Sequence, residues 1–242
     1  MVAGYDVRRF SWQNRSVNSV ESIIELFRRA AADRERGASE IEETLIGGLL
    51  ALKLDTRALA AGARLLAEGQ PVMANLRSLA ARAVAPAFDE WLEQRAGVLE
   101  ELPHRLAANA WPHIEGASRI VTISRSRTVA AVVGGARERG WRGSVAVVAR
   151  TATAPPCLDE SAVVVLVGAD AVAPRRFINA AGTTMLMELA TARGVERVLA
   201  ADSGKDVSDE ILDDIAGSLA LHQEWPVFEA IPMSLVSQRV TE

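Results

Sequence analysis

The stretch Val163-Val164-Val165-Leu166-Val167 is five consecutive apolar residues, four of them valine. A run of this kind has no polar face to turn to water, so as a strand it must be covered on both sides, as in the interior of a parallel sheet. It is too short for a helix and rich in β-branched side chains, which favours the strand assignment. It breaks off in Gly168-Ala169-Asp170, which sets a carboxylate at the C-terminal mouth of the strand. Ligands of open α/β sheets bind outside that mouth.

The surrounding sequence supplies what such a strand needs. Residues 119–123, 144–149 and 195–200 read as further strands, with helices from Ser126 or Arg127 to Arg139 and from Thr183 to Arg193. This alternation predicts βαβ units, a parallel sheet and right-handed crossovers. Ahead of it, Ala, Leu, Glu and Arg recur at helical spacing. Ser19 begins a first helix carrying Ile23, Ile24, Leu26 and Phe27, and Arg36-Gly37-Ala38 breaks it. Ser39 with Glu42 forms a capping-box pattern for a second helix. Asp55 or Thr56 opens a third, which stops at Gly69-Gln70-Pro71, and helical stretches follow over 73–85 and 86–99. The texture changes within 102–116, near Pro103 and Gly116, so the expected organisation is a helical part over 1–110 and a Rossmann-like α/β part over 111–242.

Charge and composition narrow the function classes. A net charge of −4 gives no electrostatic case for a nucleic-acid partner. Cys157, the single cysteine, excludes an internal disulfide and fits a reducing cytoplasm. No apolar stretch approaches the roughly 20 residues of a membrane span, and Met1 to Arg15 shows no signal-peptide core. The three histidines are scattered, so neither a metal nor another cofactor is expected.

Three strand ends bring polar groups to one edge of the predicted sheet. Ser124-Arg125-Ser126-Arg127 runs from a strand into a helix N-terminus, where backbone amides, hydroxyls and guanidinium groups suit an anion. Helix capping by the same serines is the alternative. Asp170 is followed by Asn179, Gly182 and Thr183; it either takes part in chemistry or caps the next turn. Asp202-Ser203-Gly204-Lys205 ends the fourth strand, with Lys205 placed to meet Asp170, Asp202, a phosphate or solvent.

Taken together these segments resemble a family comprising the alpha, beta and delta subunits of eukaryotic initiation factor 2B, ribose-1,5-bisphosphate isomerase and 5-methylthioribose-1-phosphate isomerase. Gln70-Pro71-Val72-Met73-Ala74-Asn75-Leu76 is similar to the family's Arg-Pro-Thr helix start, and Ile120 to Thr128 to its Thr-His-Cys/Ser-x-Ser segment. Gly168-Ala169-Asp170 with Asn179-x-x-Gly182-Thr183 resembles its Gly-Ala-Asp … Asn-Lys-x-Gly-Thr signature. Asp202-x-x-Lys205 resembles its Glu-x-x-Lys, and Phe228-Glu229-x-x-Pro232 through Thr241-Glu242 its C-terminal motif.

The resemblance implies a helical N-terminal domain, a Rossmann-like C-terminal domain and a homodimer through the latter. It places Asp170 on the isomerases' catalytic aspartate and Ser124 on their cysteine. It places Arg36, Gly37 and Ala38 on their phosphate loop, with Ser126, Arg127, Arg150, Asn179, Gly182, Thr183 and Lys205 as further binding residues. Ala180 stands where the family has lysine, and a serine hydroxyl is far less acidic than a thiol of pKa about 8.5. Between the second and third strands about one βα unit of the family pattern is missing. The expectation is therefore a cytoplasmic, non-catalytic or regulatory protein that binds a phosphorylated sugar or nucleotide. The alternative is a diverged aldose-ketose isomerase using Asp170 as general acid/base.

Overall fold

The computed structural model describes residues 19–123, 126–148, 158, 162–221 and 228–242. Five helices come first: α1 (Ser19–Ala32), α2 (Ala38–Leu50), α3 (Thr56–Gly69), α4 (Ala74–Ala83) and α5 (Phe88–Ile114). Each turns one stripe inward, such as Ile23, Phe27 and Ala30 in α1 and Ile41, Leu45 and Leu49 in α2. The spacing of three and four puts those residues on one helical face. Asp55 caps α3 as expected, its Oδ1 accepting from the Ala58 amide at 2.8 Å. A Cβ added at Gly62 would lie 2.2 Å from the Phe27 ring, so α1 and α3 approach as closely as they do because position 62 has no side chain.

Two expectations about these helices need correction. Ser39 does not cap α2: the cap is Gly37, with no side-chain hydrogen bond, and Ser39 lies inside the first turn. Glu42, the supposed capping-box partner, is 1% exposed and falls on the same face as Ile41 and Leu45, so burial draws it inward. The fifth helix does not stop at Leu99. It runs through Pro103 and Pro112 to Ile114, because Leu99, Leu102, Leu106, Ala110 and Ile114 keep a continuous apolar stripe that holds it against its neighbours. Packing here outweighs the hydrogen bond each proline removes.

The second half contains β1 (Arg119–Thr122), α6 (Arg127–Glu138), β2 (Ser144–Val147), β3 (Val163–Val167), β4 (Ala171–Val172), β5 (Arg176–Ala180), α7 (Thr183–Ala192), β6 (Glu196–Ala200), α8 (Asp209–Leu221), β7 (Phe228–Pro232) and β8 (Gln238–Val240). Strands β2-β1-β3-β6-β8 form one sheet, parallel throughout. The connection from Val147 to Val163, where the missing βα unit is expected, falls almost wholly outside the described residues. Strands β4, β5 and β7 make a separate antiparallel sheet that sequence reading did not resolve.

All five residues of β3 are buried. Val164 and Leu166 join a core shared with Ile120, Val198, α6 (Val129, Val132) and the N-terminal helices, including Leu106 and Ala110 of α5. Val163, Val165 and Val167 face the other way, toward Leu186, Met187 and Ala190 of α7 and toward Phe177 and Ile231 of the small sheet. The helical half of the chain thus covers one face of the main sheet, and α7 with the small sheet covers the other.

Gly62→Ala tests the α1–α3 approach. Glycine to alanine inside a helix ordinarily stabilises by up to about 1 kcal/mol; here the collision with Phe27 is expected to reverse the sign, lowering urea-unfolding stability by about 1–3 kcal/mol.

Candidate functional site

In the main sheet β1 is followed by β2 on one side and by β3 on the other, so the strand order reverses between the C-terminal ends of β1 and β3. This is the topological switch point of an open α/β sheet, where a crevice forms. Three strand ends meet there. A Cβ added at Gly168 would lie 3.0 Å from Ser126 Oγ and 3.9 Å from the Ala200 carbonyl oxygen, so β3, the β1–α6 turn and β6 converge on this glycine. Asp170, two residues on, is half-buried. Its amide donates to the Ile178 carbonyl at 2.8 Å, and its carbonyl accepts from the Ala74 amide at 2.9 Å. Strand β5 and the start of α4 therefore fix its backbone from two sides. Lys205 lies in a 3-10 turn after β6, tied to the same place by the Val207 amide donating to Val172 and by a bridge between Val172 and Asp206.

The Arg36-Gly37-Ala38 loop is held toward this region by the 70–76 segment. Asn75 Nδ2 donates to the Ala38 carbonyl at 3.1 Å and to Glu42 Oε2 at 2.7 Å. Gln70, 1% exposed, donates from Nε2 to the carbonyls of Ala30 at 3.0 Å and Asp33 at 2.6 Å, closing the end of α1. The strand ends thus carry Asp170 beside α4, Ser126 beside Gly168 and the Lys205 turn beside β4, while Asn75, next to Ala74, holds the 36–38 loop. Ser124 and Arg150 lie outside the described residues.

Several of the proposed binding groups are already engaged within the chain. Arg36 Nε donates to Asp33 Oδ2 at 2.6 Å and Nη1 to Thr44 Oγ1 at 2.8 Å. Arg127 forms an ion pair with Glu43 of α2. Ser126 caps α6, its Oγ accepting from Val129. Asn179 Nδ2 donates to Thr183 Oγ1 at 3.2 Å, and Thr183 Oγ1 to the Ala180 carbonyl at 2.6 Å, so both are structural in β5 and α7. Gly182 holds φ 93° ahead of α7, a conformation that favours glycine. Glu229 Oε1 accepts from the Thr184 amide at 2.6 Å, filling that helix N-terminus with the chain's own carboxylate.

Lys205 belongs to a buried ionic cluster. Arg95 of α5 donates from Nε to Glu42 Oε1 at 2.8 Å and from Nη2 to Glu42 Oε2 at 2.9 Å and Asp202 Oδ1 at 3.0 Å. Glu42, Asp202 and Lys205 are respectively 1%, 0% and 3% exposed. Burial alone would lower the Arg95 pKa, but the hydrogen bonds and charges of Glu42 and Asp202 outweigh it and raise it. Lys205 Nζ stands 3.7 Å from Asp202 Oδ2, beyond hydrogen-bonding distance. A cavity of about 660 Å3 lies elsewhere, at the N-terminal ends of β1 and β2, beside Trp111, Arg139 and Arg142.

Comparison with solved structures gives one architecture. The translation initiation factor eIF-2B of Pyrococcus horikoshii OT3 superimposes with a TM-score of 0.70 at 20% identity, covering 91% of this chain and 94% of that one. The tetrameric eIF2B-beta2-delta2 complex from C. thermophilum gives a TM-score of 0.64 at 15% identity, covering 91% and 88%. The fold is that of the eIF2B subunits. 5-Methylthioribose 1-phosphate isomerase from Pyrococcus horikoshii OT3 shares it, with a TM-score of 0.58 at 17% identity and coverage of 91% and 83%. No protein-family model and no curated protein sequence matches the chain.

Within the eIF2B fold, sequence reasoning gave no site role to Glu42 or Asn75 and passed over Arg95. Arg95 could have been found. The stripe Phe88, Leu92, Leu99, Leu102 and Leu106 leaves Arg95 on the inward face of α5, where a charge requires a buried partner. Glu42 similarly interrupts the apolar face of α2.

The Asp33–Arg36 contact yields a pH test. Burial would raise the Asp33 pKa, but hydrogen bonds from the Arg36 amide and guanidinium and the Glu35 amide hold it below the usual aspartate value. A carboxyl depressed on folding contributes stability that is present above its unfolded pKa and lost as pH falls through the folded one. Asp33→Asn is therefore expected to lower the melting temperature at neutral pH. Its difference from the parent should shrink as pH is taken down to about 3; an unchanged difference would remove the ionised contact as a source of stability.

Proposed function

We propose that this chain is a non-catalytic protein of the initiation factor 2B type, working in the cytoplasm, that holds a phosphorylated sugar or nucleotide in the β1/β3 crevice. We take residues 1–110 as its helical module and 111–242 as the ligand-holding α/β module, through which two copies pair. The observation that carries the ligand assignment is the placement of Lys205: it is buried, tied beside Asp170, and lacks a hydrogen-bonded carboxylate. An ammonium in that position favours an anion.

The absence of turnover is supported by the residues at the resembled positions. Ser124 stands in place of the isomerases' cysteine and Ala180 in place of the lysine, while Gln70 caps α1 where the family has arginine. Arg36 and Arg127 are each matched by a carboxylate of the same chain. That balance supports a ligand with one phosphate over a bisphosphate. The isomerase reading keeps one observation in its favour, Asp170 at the switch point with its backbone fixed on both sides.

Thermal-shift measurements with nucleoside monophosphates, methylthioribose 1-phosphate and ribose 1,5-bisphosphate check this. The expected result is stabilisation by at least one monophosphate, exceeding that by the bisphosphate, with no product formed. Stabilisation by none of them would refute the ligand assignment. Turnover that disappears in Asp170→Asn would instead establish the isomerase.

A further inference from the structure

We infer that Arg95 is the positioning residue of the phosphate site: by taking up the charge of Asp202 from the helical side, it leaves the Lys205 ammonium available to a ligand. The inference rests on the assignment of Lys205 to the ligand's anion and extends it to a residue far from the crevice in sequence.

The cluster contains two carboxylates, Glu42 and Asp202, and two cations, Arg95 and Lys205; all but the half-buried Arg95 are closed off from water. Asp202 has two cations within ion-pair distance and accepts a hydrogen bond from one. Its Oδ1 accepts from Arg95 Nη2 at 3.0 Å, whereas its Oδ2 has no hydrogen-bond partner and lies 3.7 Å from Lys205 Nζ. A carboxylate with no solvent exposure draws in whatever donor it can, because an uncompensated buried charge is costly. Arg95 fills that need from α5. Without it, Asp202 would draw the ammonium, now 3.7 Å away in the same turn, into a hydrogen-bonded ion pair and withdraw it from the crevice.

The local chain is built around the arginine. A Cβ added at Gly204 would lie 2.4 Å from Arg95 Nη2 and 2.8 Å from both Arg95 Cζ and Asp202 Oδ1, so the guanidinium packs directly over the backbone of the Lys205 turn. On its other side Glu42 accepts from both Nε and Nη2, a two-point grip that fixes the guanidinium plane. Asn75 in turn donates to Glu42 at 2.7 Å and to the Ala38 carbonyl of the 36–38 loop. One guanidinium therefore sets the geometry of the Lys205 turn while its partner Glu42 is braced by the residue that holds that loop. A lysine at position 95 could not reproduce the arrangement, having a point charge in place of a planar fork.

The test compares two variants of the full chain, with titration calorimetry against adenosine monophosphate as probe. In Glu42→Gln/Arg95→Gln, Asp202 keeps its charge and loses its arginine. In Glu42→Gln/Arg95→Gln/Asp202→Asn, the competing carboxylate is also gone. The first is expected to bind about tenfold more weakly than the parent, the equivalent of one charge-assisted hydrogen bond, and the second to recover most of that loss. A merely structural role for Arg95 would weaken both alike, and that result overturns the inference, as does full affinity in the first variant. Should the first variant not fold, Asp202→Asn alone decides: affinity at or above the parent's supports the inference, and a loss of about tenfold refutes it. A parent that fails to bind the probe, while the other phosphates also fail, overturns the ligand assignment itself. Parent binding with no change on loss of Arg95 overturns the positioning role alone.

Discussion

The requirement that β3 lose contact with water on both faces organises the molecule. Val164 and Leu166 need an apolar partner on one side of the sheet, and Val163, Val165 and Val167 need another on the opposite side. The first is provided by α6 and by α5 of the helical half, the second by α7 and the small antiparallel sheet. Because α5 lies against β6 and β8 and also packs against α2 and α4, the two halves of the chain share one core. Strand β3 also carries Gly168 and Asp170 to the switch point beyond its C-terminal end.

Polar contacts between the halves are superimposed on that core. Arg95 bridges Glu42 of α2 and Asp202 beyond β6, and Arg127 pairs with Glu43. Buried ion pairs are weak evidence for stability, because desolvation offsets most of the attraction, yet removing one partner costs about 3–5 kcal/mol. Their effect is to select a geometry: any arrangement of the halves that separates Arg95 from Asp202 leaves charges stranded. The cluster therefore specifies how the helical half sits on the sheet more strongly than it stabilises the fold.

Much of the fold was legible because it depends on patterns that one chain displays. The valine run identified β3 from composition, the caps Asp55 and Ser126 marked helix starts, and Gly182 preceded α7 where the pattern placed it. Errors arose where tertiary packing overruled local signals. Pro103 is a helix breaker locally, but the stripe from Leu99 to Ile114 carries α5 past it. The two-residue strand β4 exists only because β5 pairs with it, so no local run could reveal it. Around the strand ends, residue types were legible and their commitments were not: no local pattern shows that Arg36 pairs with Asp33 or Arg127 with Glu43. A side chain's availability depends on partners distant in sequence.

The hydrogen bond from the Ala74 amide to the Asp170 carbonyl has a mechanical consequence. It joins the first residue of α4 to the residue whose carboxyl group stands at the sheet's mouth, across nearly a hundred positions of chain. With Arg95 clamped over Gly204 close by, the floor of the crevice is riveted to the helical half at more than one point. The two halves cannot swing apart like jaws without breaking those rivets.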